Sequence, residues 1–581
     1  MRLDPRNAPH PHPEPSRANK HTRRLRPPRA ATGLRALGAV AGGLTVYGSA
    51  PPHHLWWLAP LGVALLAAAL HHRRTRGGFG YGFLFGLAYL LPLLSWLYDT
   101  VGEEFGVWPW FGVVTIEALF FGLAGAGMAR VSRLPGSPVW MAAVLVTTEF
   151  LRSHVPYGGF PWGRLAFTQP EGAFVPLASL GGATLVTFGM MLTGCGLAVL
   201  ARHLLHRPRA HLRAVTSAGT VTALPLVVGV TTMPTLDTAP TAGTVTVAVV
   251  QGDAPNIGID LMGKNELLRA NHIQQVTKLV QRVRSGRLPR PDLVLFPESS
   301  NVWGLARSDP TLDRIANQLG VPLAVGGIAH EVGGRISNRV ILWEPGRGAT
   351  EEYAKQHLVP FSETIPLREL ASAVTPFVKQ FSRDMTPGTT PGLFDMDTTR
   401  VGFAICYEVA YDSVLTETVR GGAELLAVPT NNAWFGRSEM TYQQLAMARL
   451  RAVEHSRSVV VASTSGVSAI IRPDGTVIEQ SRQYTADLLI QQVPLRSTTT
   501  LATRLGTLPT WILTALGIGA LLATLRTSYR GRPPTARTPP RRPAGRPQSP
   551  EHTAAHAVSN SRQTCSTRHH SSQRFEYHRP A

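Results

Sequence analysis

Two hydrophobic patterns divide the chain. Between Gly33 and Val230, long apolar runs alternate with short polar or basic connectors; the runs lie at 33–50, 54–70, 79–98, 107–128, 137–152, 173–200 and 214–232. Several approach the roughly 20 residues that a helix needs to cross a bilayer. The first, second and fifth are short, glycine-rich or interrupted. An eighth run, "PTWILTALGIGALLATL", occupies 509–525. The pattern predicts a multi-pass α-helical membrane domain over 33–232 with about seven transmembrane helices, and a final transmembrane helix at 509–525.

Region 244–496 alternates on a shorter scale. "TVTVAVVQ" (244–251), "PDLVLFPE" (291–298), "VPLAVGGI", "NRVILWEP", "RVGFAICYE" and "AELLAVPTN" read as strands. "KNELLRANHIQQVTKLVQRVR" (264–284), "LDRIANQLG" and "MTYQQLAMARLRAVEHS" (440–456) read as helices. Continuous apolar strands between helices predict an α/β fold with covered sheets. No internal repeat and no phosphate-binding glycine loop is visible.

Charge sets the orientation. Basic connectors follow the second, fourth and sixth spans, "HHRRTR" (71–76), "ARVSR" (129–133) and "ARHLLHRPRAHLR" (201–213), whereas "YDTVGEEF" (98–105) is acidic. Because Lys and Arg favour the cytoplasmic side, both termini are expected in the cytoplasm and residues 233–508 outside. The chain has 581 residues, only 16% of them charged, with a net charge of +21. Residues 1–30 hold 8 Arg or Lys against 2 acids, and residues 526–581 hold 11 against 2, so the ends supply +15 of that total. A basic N-terminal arm (1–32) and a Pro/Arg-rich tail (526–581) are therefore expected to be disordered. No nucleic-acid partner is expected. The three cysteines, Cys195, Cys406 and Cys565, fit neither a disulfide framework nor a zinc pair.

In covered α/β sheets, chemistry collects where strands end. Glu298 closes "LVLFPE", Cys406 closes "VGFAIC", and Lys355 follows a strand and turn in "EEYAKQHLVPFSE". A lone cysteine is more often core packing than nucleophile. A thiol beside an ammonium and a desolvated carboxylate is different: the first favours the thiolate, and the second takes its proton. Lysine, with a backbone N–H beside the nucleophile, can also stabilise an oxyanion. The set amounts to acyl-transfer machinery needing no metal and no cofactor.

"FPES", "YAKQHLVPFSE" and "ICYE", in this order, resemble the nitrilase (carbon–nitrogen hydrolase) superfamily, whose members carry a Glu–Lys–Cys triad on an α-β-β-α sandwich. With the spans, "NNAWFG" (431–436) and "QQLAMARLRAVEHSR" (443–457), the resemblance extends over about 33–525 to the membrane-embedded apolipoprotein N-acyltransferase branch. It implies an extracytoplasmic α/β nitrilase-like sandwich at 244–496 in the cell membrane, with Glu298 as general base, Lys355 as oxyanion partner and Cys406 as nucleophile. Glu363 matches a supporting acid, and Tyr407 and Glu408 match positions that complete the site's wall. Trp434, Phe435 and the long segment 364–392 are expected to form a substrate-binding lid. The implied partners are a membrane phospholipid as acyl donor and a diacylglyceryl-modified apolipoprotein as acceptor. They would react in turn through a thioester on Cys406.

The sequence departs from the common family pattern at Phe296, where tryptophan is frequent, at Asn432, where an acid is frequent, and at "STSGVSA" (463–469). "QGDAPNIGIDLMGKN" (251–265) lacks a tryptophan found in some members. Two other readings compete: a membrane-bound amidase using water as acceptor, and a non-catalytic membrane scaffold acting through its basic tails. A transporter would carry ionisable residues within its spans. Glu117 and Glu149 lie in such segments; Glu117 is expected to face inward and Glu149 to sit at the membrane interface.

Overall fold

Every apolar stretch marked by the pattern is helical in the computed structural model, which describes residues 29–206, 212–254, 263–374, 378 and 383–530. The first eight helices are α1 (Arg29–Tyr47), α2 (Leu58–Leu70), α3 (Thr75–Leu93), α4 (Trp96–Phe105), α5 (Trp108–Val131), α6 (Ser137–Arg152), α7 (Leu177–His206) and α8 (Leu212–Thr232). The last, α15, is Leu508–Arg530. Helix thus includes residues 29–32 and 526–530, which composition assigned to disordered ends. The rest of the arm and the tail, with Cys565, lies outside the described residues.

Length and composition by themselves mark fewer helices than the eight runs. Among the described residues α5, α7, α8 and α15 are long and apolar enough to cross a membrane, and α3 with α4, bent by 81°, make a fifth if counted as one span. Helix α2 has 13 residues, about 20 Å at 1.5 Å per residue, short of a hydrocarbon core of about 30 Å. Helix α1 is diluted by Gly33, Gly38, Gly42, Gly43, Arg29 and Arg35. Close approach holds these helices together. A Cβ on Gly43 would lie 2.3 Å from the Phe85 carbonyl of α3, and one on Gly82 would lie 2.3 Å from the Phe121 carbonyl of α5, as in small-residue packing of membrane helices.

Two sheets follow. Their strands are β1 (Thr244–Gln251), β2 (Leu293–Leu295), β3 (Asn301–Trp303), β4 (Leu323–His330), β5 (Ile336–Glu344), β6 (Gly348–Ala354), β7 (Leu393–Met396), β8 (Thr399–Phe403), β9 (Leu425–Thr430), β10 (Ser458–Ser463), β11 (Ala469–Ile471), β12 (Val477–Gln480) and β13 (Asp487–Pro494). Among the described residues one sheet runs β13-β1-β2-β4-β5-β6 with β3 beside β4; the other runs β12-β11-β10-β9-β8-β7. The remaining helices are α9 (Asn265–Arg284), α10 (Pro310–Leu319), α11 (Arg368–Val374), α12 (Asp412–Arg420), α13 (Met440–His455) and α14 (Leu501–Leu505).

The period-two alternation of the strands builds the layers. Val245, Val247 and Val249 of β1 share a core with Leu425 and Ala427 of β9 and Val460 and Ala462 of β10, between the sheets. The intervening Ala248 and Val250 pack with Val276 and Leu279 of α9 and Leu312 and Ile315 of α10. On the far side Leu426, Val428, Val459 and Val461 pack with α12, α13 and residues of α1 to α7, in one continuous apolar core. The α-β-β-α sandwich is therefore seated on the helical bundle through its α12/α13 layer.

Polar contacts fix that seat. Trp162 Nε1 donates to Gln443 Oε1 of α13 (2.8 Å), and Gln443 Nε2 donates to the Leu93 carbonyl (3.0 Å) at the bend between α3 and α4. Asp412 accepts from Arg164 Nη1 (2.7 Å) and pairs with Arg451 Nη2 (2.8 Å). Both acids flagged in the spans are buried and partnered. Glu117 pairs with Arg152 (3.1 Å). Glu149 accepts from Leu165 N–H (2.9 Å) and Thr187 Oγ1 (3.0 Å), so it is enclosed by protein rather than by water. Its neighbours supply the hydrogen bonds that water would supply at an interface.

Burial opposes the charge on Asp412, but Arg164 and Arg451 outweigh it and hold the carboxyl well below the usual carboxylate range. A depressed acid contributes stability above its unfolded pKa, about 4, and loses it as pH falls through the folded value. Asp412→Ala is expected to lower stability by about 2–3 kcal/mol, less than for a fully enclosed pair because the carboxylate is partly open to solvent. Thermal unfolding of the purified protein between neutral and acid pH checks both points: the loss should shrink toward acid pH.

Candidate active site

Four polar side chains converge at the ends of strands in the first sheet. Phe296–Glu298 leave β2 after only three paired residues, and Glu298 turns inward. Lys355 follows β6, Asn338 lies in β5, and Glu363 closes the loop after Lys355. Lys355 Nζ donates to Glu298 Oε1 (3.0 Å) and Glu363 Oε1 (3.1 Å). Asn338 Nδ2 donates to the same two oxygens, at 2.6 and 2.7 Å. The far oxygens are held by backbone: Glu298 Oε2 accepts from Asn431 N–H (2.8 Å), and Glu363 Oε2 from Val359 N–H (2.8 Å). All four side chains are buried. Burial opposes the charge on Lys355; Glu298 and Glu363, with smaller contributions from Cys406 and Glu408, outweigh it and raise its pKa well above the ordinary value. The site thus favours an ammonium held between two carboxyl groups.

Cys406 comes from the other sheet, just past β8, as the first residue of a 3-10 turn, Cys406–Ala410. Its φ is +53°, a left-handed conformation that costs a non-glycine residue of order 1 kcal/mol or more and clusters at functional sites. The side chain is 5% exposed. Burial, then Glu298, push its thiol up to about 12, with Lys355 pulling the other way. Burial thus favours the thiol over the thiolate.

The matches to known proteins follow the same two-part division. Residues 41–196 match the model of the apolipoprotein N-acyltransferase N-terminal domain, and residues 246–503 match that of the carbon-nitrogen hydrolases. The apolipoprotein N-acyltransferase of Mycolicibacterium smegmatis is 35% identical over 504 residues, covering 83% of this chain and 84% of that protein. That of Chromobacterium violaceum is 31% identical over 518 residues, covering 84% and 92%. The chain belongs to the apolipoprotein N-acyltransferase family. It is an enzyme of the carbon–nitrogen hydrolase fold with an apolar helical region that fits a membrane. Among solved structures, Nit3 of Saccharomyces cerevisiae, a nitrilase-superfamily member, aligns with a TM-score of 0.33 and 18% identity, covering 43% of this chain and 90% of that one.

Within this family member the motif residues separate by position. Glu298, Lys355 and Glu363 meet directly, and Cys406 faces them. Glu408 joins two loops beside the site. Its carboxylate accepts from Ile405 N–H (2.7 Å) before the Cys406 turn, and from Gln356 N–H (2.6 Å) and His357 N–H (3.1 Å) after Lys355. Tyr353 Oη donates to it as well (2.9 Å). Tyr407 turns away toward the bundle, stacked on Trp162 with centroids 6.3 Å apart. The "CYE" triplet thus serves three places.

The expected lid residues have fixed neighbours. Phe435 packs edge-on against Trp96 of α4, centroids 5.0 Å apart. Trp434 packs against Ala254, Leu268 and Ala433. Segment 364–392, read as structureless, contains α11, and part of it lies outside the described residues, as does part of 251–265. Its C-terminal end is pinned to the site: Met385 N–H donates to the Glu363 carbonyl and Gly388 N–H to the Lys355 carbonyl, both at 2.8 Å. Asn338 escaped the sequence reading, although an asparagine inside "SNRVILW" contradicts strand preference and was a readable sign.

Glu408→Gln keeps size and burial but turns an acceptor toward one loop into an N–H donor facing backbone N–H groups. About 2–3 kcal/mol of stability should be lost, the cost of buried groups left unpaired beside a charge-assisted set. Thermal unfolding beside the rate of Cys406 alkylation would register both the loss and a disturbed thiol environment.

Proposed function

We propose that the chain transfers an acyl chain from a membrane phospholipid to the N-terminal amine of a diacylglyceryl-modified apolipoprotein. The observation that carries this reading is the buried Lys355 shared by Glu298 and Glu363 opposite Cys406, on a sandwich seated on apolar helices. Both substrates are held by lipid tails, so a catalytic domain resting on a membrane bundle needs only their lateral approach.

In the first half-reaction Cys406 Sγ attacks the ester carbon and its proton passes to Glu298. Lys355 and the backbone N–H of Tyr407 stabilise the oxyanion. The ester C–O bond breaks, the proton goes to the leaving oxygen, and a lysophospholipid departs from a thioester. In the second, the α-amine attacks the thioester, Glu298 takes its proton, and the C–S bond breaks. An amide is released and the proton restores the thiol. Glu363 acts through Lys355, fixing where the ammonium points. Trp434 and Phe435 belong to the substrate-facing rim.

Both termini would face the cytoplasm and the sandwich the outside, because the basic connectors "HHRRTR", "ARVSR" and 201–213 alternate with the acidic 98–105. The exposed Phe361, Leu367 and Leu370 beside the site suit contact with the outer leaflet.

Incubation with phospholipid and no acceptor, followed by mass spectrometry, tests the reading. A hydroxylamine-labile acyl mass is expected on the peptide containing Cys406, with none in Cys406→Ala. An intact phospholipid pool and an unmodified peptide in the folded wild type would overturn it. Free fatty acid released as fast as the thioester forms would favour water as the acceptor.

A further inference from the structure

Beside Cys406 lies a side-chain amide outside the Glu–Lys–Cys set. Gln444 Nε2 of α13 is 3.7 Å from Cys406 Sγ, within reach of an N–H···S hydrogen bond. Both residues are buried. An amide can face a neighbour with either end. Turned over, Gln444 would offer the sulfur a lone pair and repel a thiolate; as placed, it offers hydrogen. Which end faces the sulfur is settled elsewhere, by a group that can only donate.

That group is the Gly466 backbone N–H, which donates to Ser463 Oγ (2.9 Å). The serine hydroxyl then donates to Asn432 Oδ1 (2.7 Å). The Asn432 amide is thereby oriented, and its Nδ2 donates to Gln444 Oε1 (2.7 Å) and to Met440 Sδ (3.2 Å). Thr430 Oγ1 donates to the same Gln444 oxygen (3.0 Å). With Oε1 occupied by two donors, Nε2 is left for the sulfur. Ser463, Asn432 and Gln444 are each at most 3% exposed, so water does not compete for these partners. Bonds running one way polarise each other. An aspartate at 432 could only accept, and would draw the Gln444 N–H groups away from the sulfur.

We infer that Gln444 is a positioning residue for the nucleophile, and that a one-way hydrogen-bond chain from Gly466 N–H through Ser463 and Asn432 aims its N–H at Cys406 Sγ. The inference rests on the proposed role of Cys406 as nucleophile. The sulfur is anionic as it attacks and again as it departs from the thioester; between those moments it is a thioester sulfur, a weak acceptor. A donor aimed at it therefore strengthens when negative charge develops, which is the difference that accelerates a step. Gln443, the preceding residue, holds the helical bundle, so adjacent residues of α13 tie the nucleophile to the bundle's position.

The test is the pH dependence of Cys406 alkylation by iodoacetamide, followed on its own peptide by mass spectrometry in the full-length protein in detergent. Wild type is compared with Gln444→Met, which removes the donor at similar volume, and Ser463→Ala, which removes the anchor without touching the sulfur or changing charge. The midpoint should move up by about one unit in Gln444→Met, or about tenfold in rate at a fixed pH below it. Ser463→Ala should move it the same way by about two- to threefold in rate, since the amides are then free to turn. A Gln444→Met protein that unfolds near the wild-type temperature and keeps the wild-type pH profile overturns the inference. A shift in Gln444→Met with none in Ser463→Ala overturns the anchoring chain. If Gln444→Met fails to fold, Ser463→Ala decides, because a merely structural serine would not move the titration of a distant thiol. Alkylation needs no lipid, so failure of the wild type to form an acyl thioester would overturn the proposed reaction and leave this result standing.

Discussion

Lys355 Nζ is buried and stands 3.0 Å from Glu298 and 3.1 Å from Glu363. Removing an ammonium from water costs several kcal/mol even after relaxation, and only close, well-hydrogen-bonded partners offset it. Two carboxylates outnumber that one ammonium, and burying the second needs its own donors. Asn338 Nδ2, Asn431 N–H and Val359 N–H supply them. The ends of β2, β5 and β6 must therefore meet within a hydrogen-bond length, and the opposing sheet must bring β9 close enough for Asn431 to reach Glu298. The sandwich is the frame that meets those distances. Its inner core of valine, leucine and alanine sets the spacing of the sheets and excludes water from between them.

Cys406 is built on the layer that faces the bundle. Cys406 lies at the start of a turn packed against α13, and α13 shares one apolar core with α1 to α7. Helix α7 is interrupted where it meets this layer. Gly182 has φ +69°, a left-handed backbone that favours glycine, and it lies beside Glu454 Oε1 of α13. Arg451 donates to the Val409 carbonyl (2.9 Å) and the Ala410 carbonyl (3.0 Å) at the end of the turn that starts at Cys406, and also meets Asp412, which Arg164 reaches from the bundle side. Glu298 and Lys355 thus belong to one sheet, while Cys406 belongs to the sheet seated on the bundle. Glu408 crosses between them, accepting backbone N–H groups from both loops.

Several residues hold more than one partner because their atoms are of one kind. Glu408, as a carboxylate, only accepts, and suits a point where Ile405, Gln356 and His357 all present N–H groups. Burial pushes its pKa up to about 7, against those hydrogen bonds and Lys355. Glutamine and asparagine do the opposite work. Gln443 accepts from Trp162 and donates to Leu93, filling the gap left where the helix bends. Gln444 and Asn432 relay a direction set by a backbone N–H. The apolar pattern that placed these residues on α13 carries no information about that direction.

Strand and helix patterns, the apolar runs and the strand-end positions of Glu298, Lys355 and Cys406 were determined by the sequence by itself. Local periodicity and turn chemistry act over a few residues, and both are written along the chain. Ordered motifs added the family and Glu363. Other features depended on the fold. Asn338 stands 40 residues from Glu298, and Gln444 stands 38 from Cys406. Tyr407 and Glu408 are adjacent, yet one turns to the bundle and the other lies between the loops. Among the described residues, length and composition mark four or five helices able to cross a membrane, against eight apolar runs in the pattern, and a short apolar run can be buried by neighbouring helices as well as by lipid. Contacts between distant residues and the facing of an amide depend on distances and donor directions that exist only after the sheets and helices have packed; only the tertiary structure decided them.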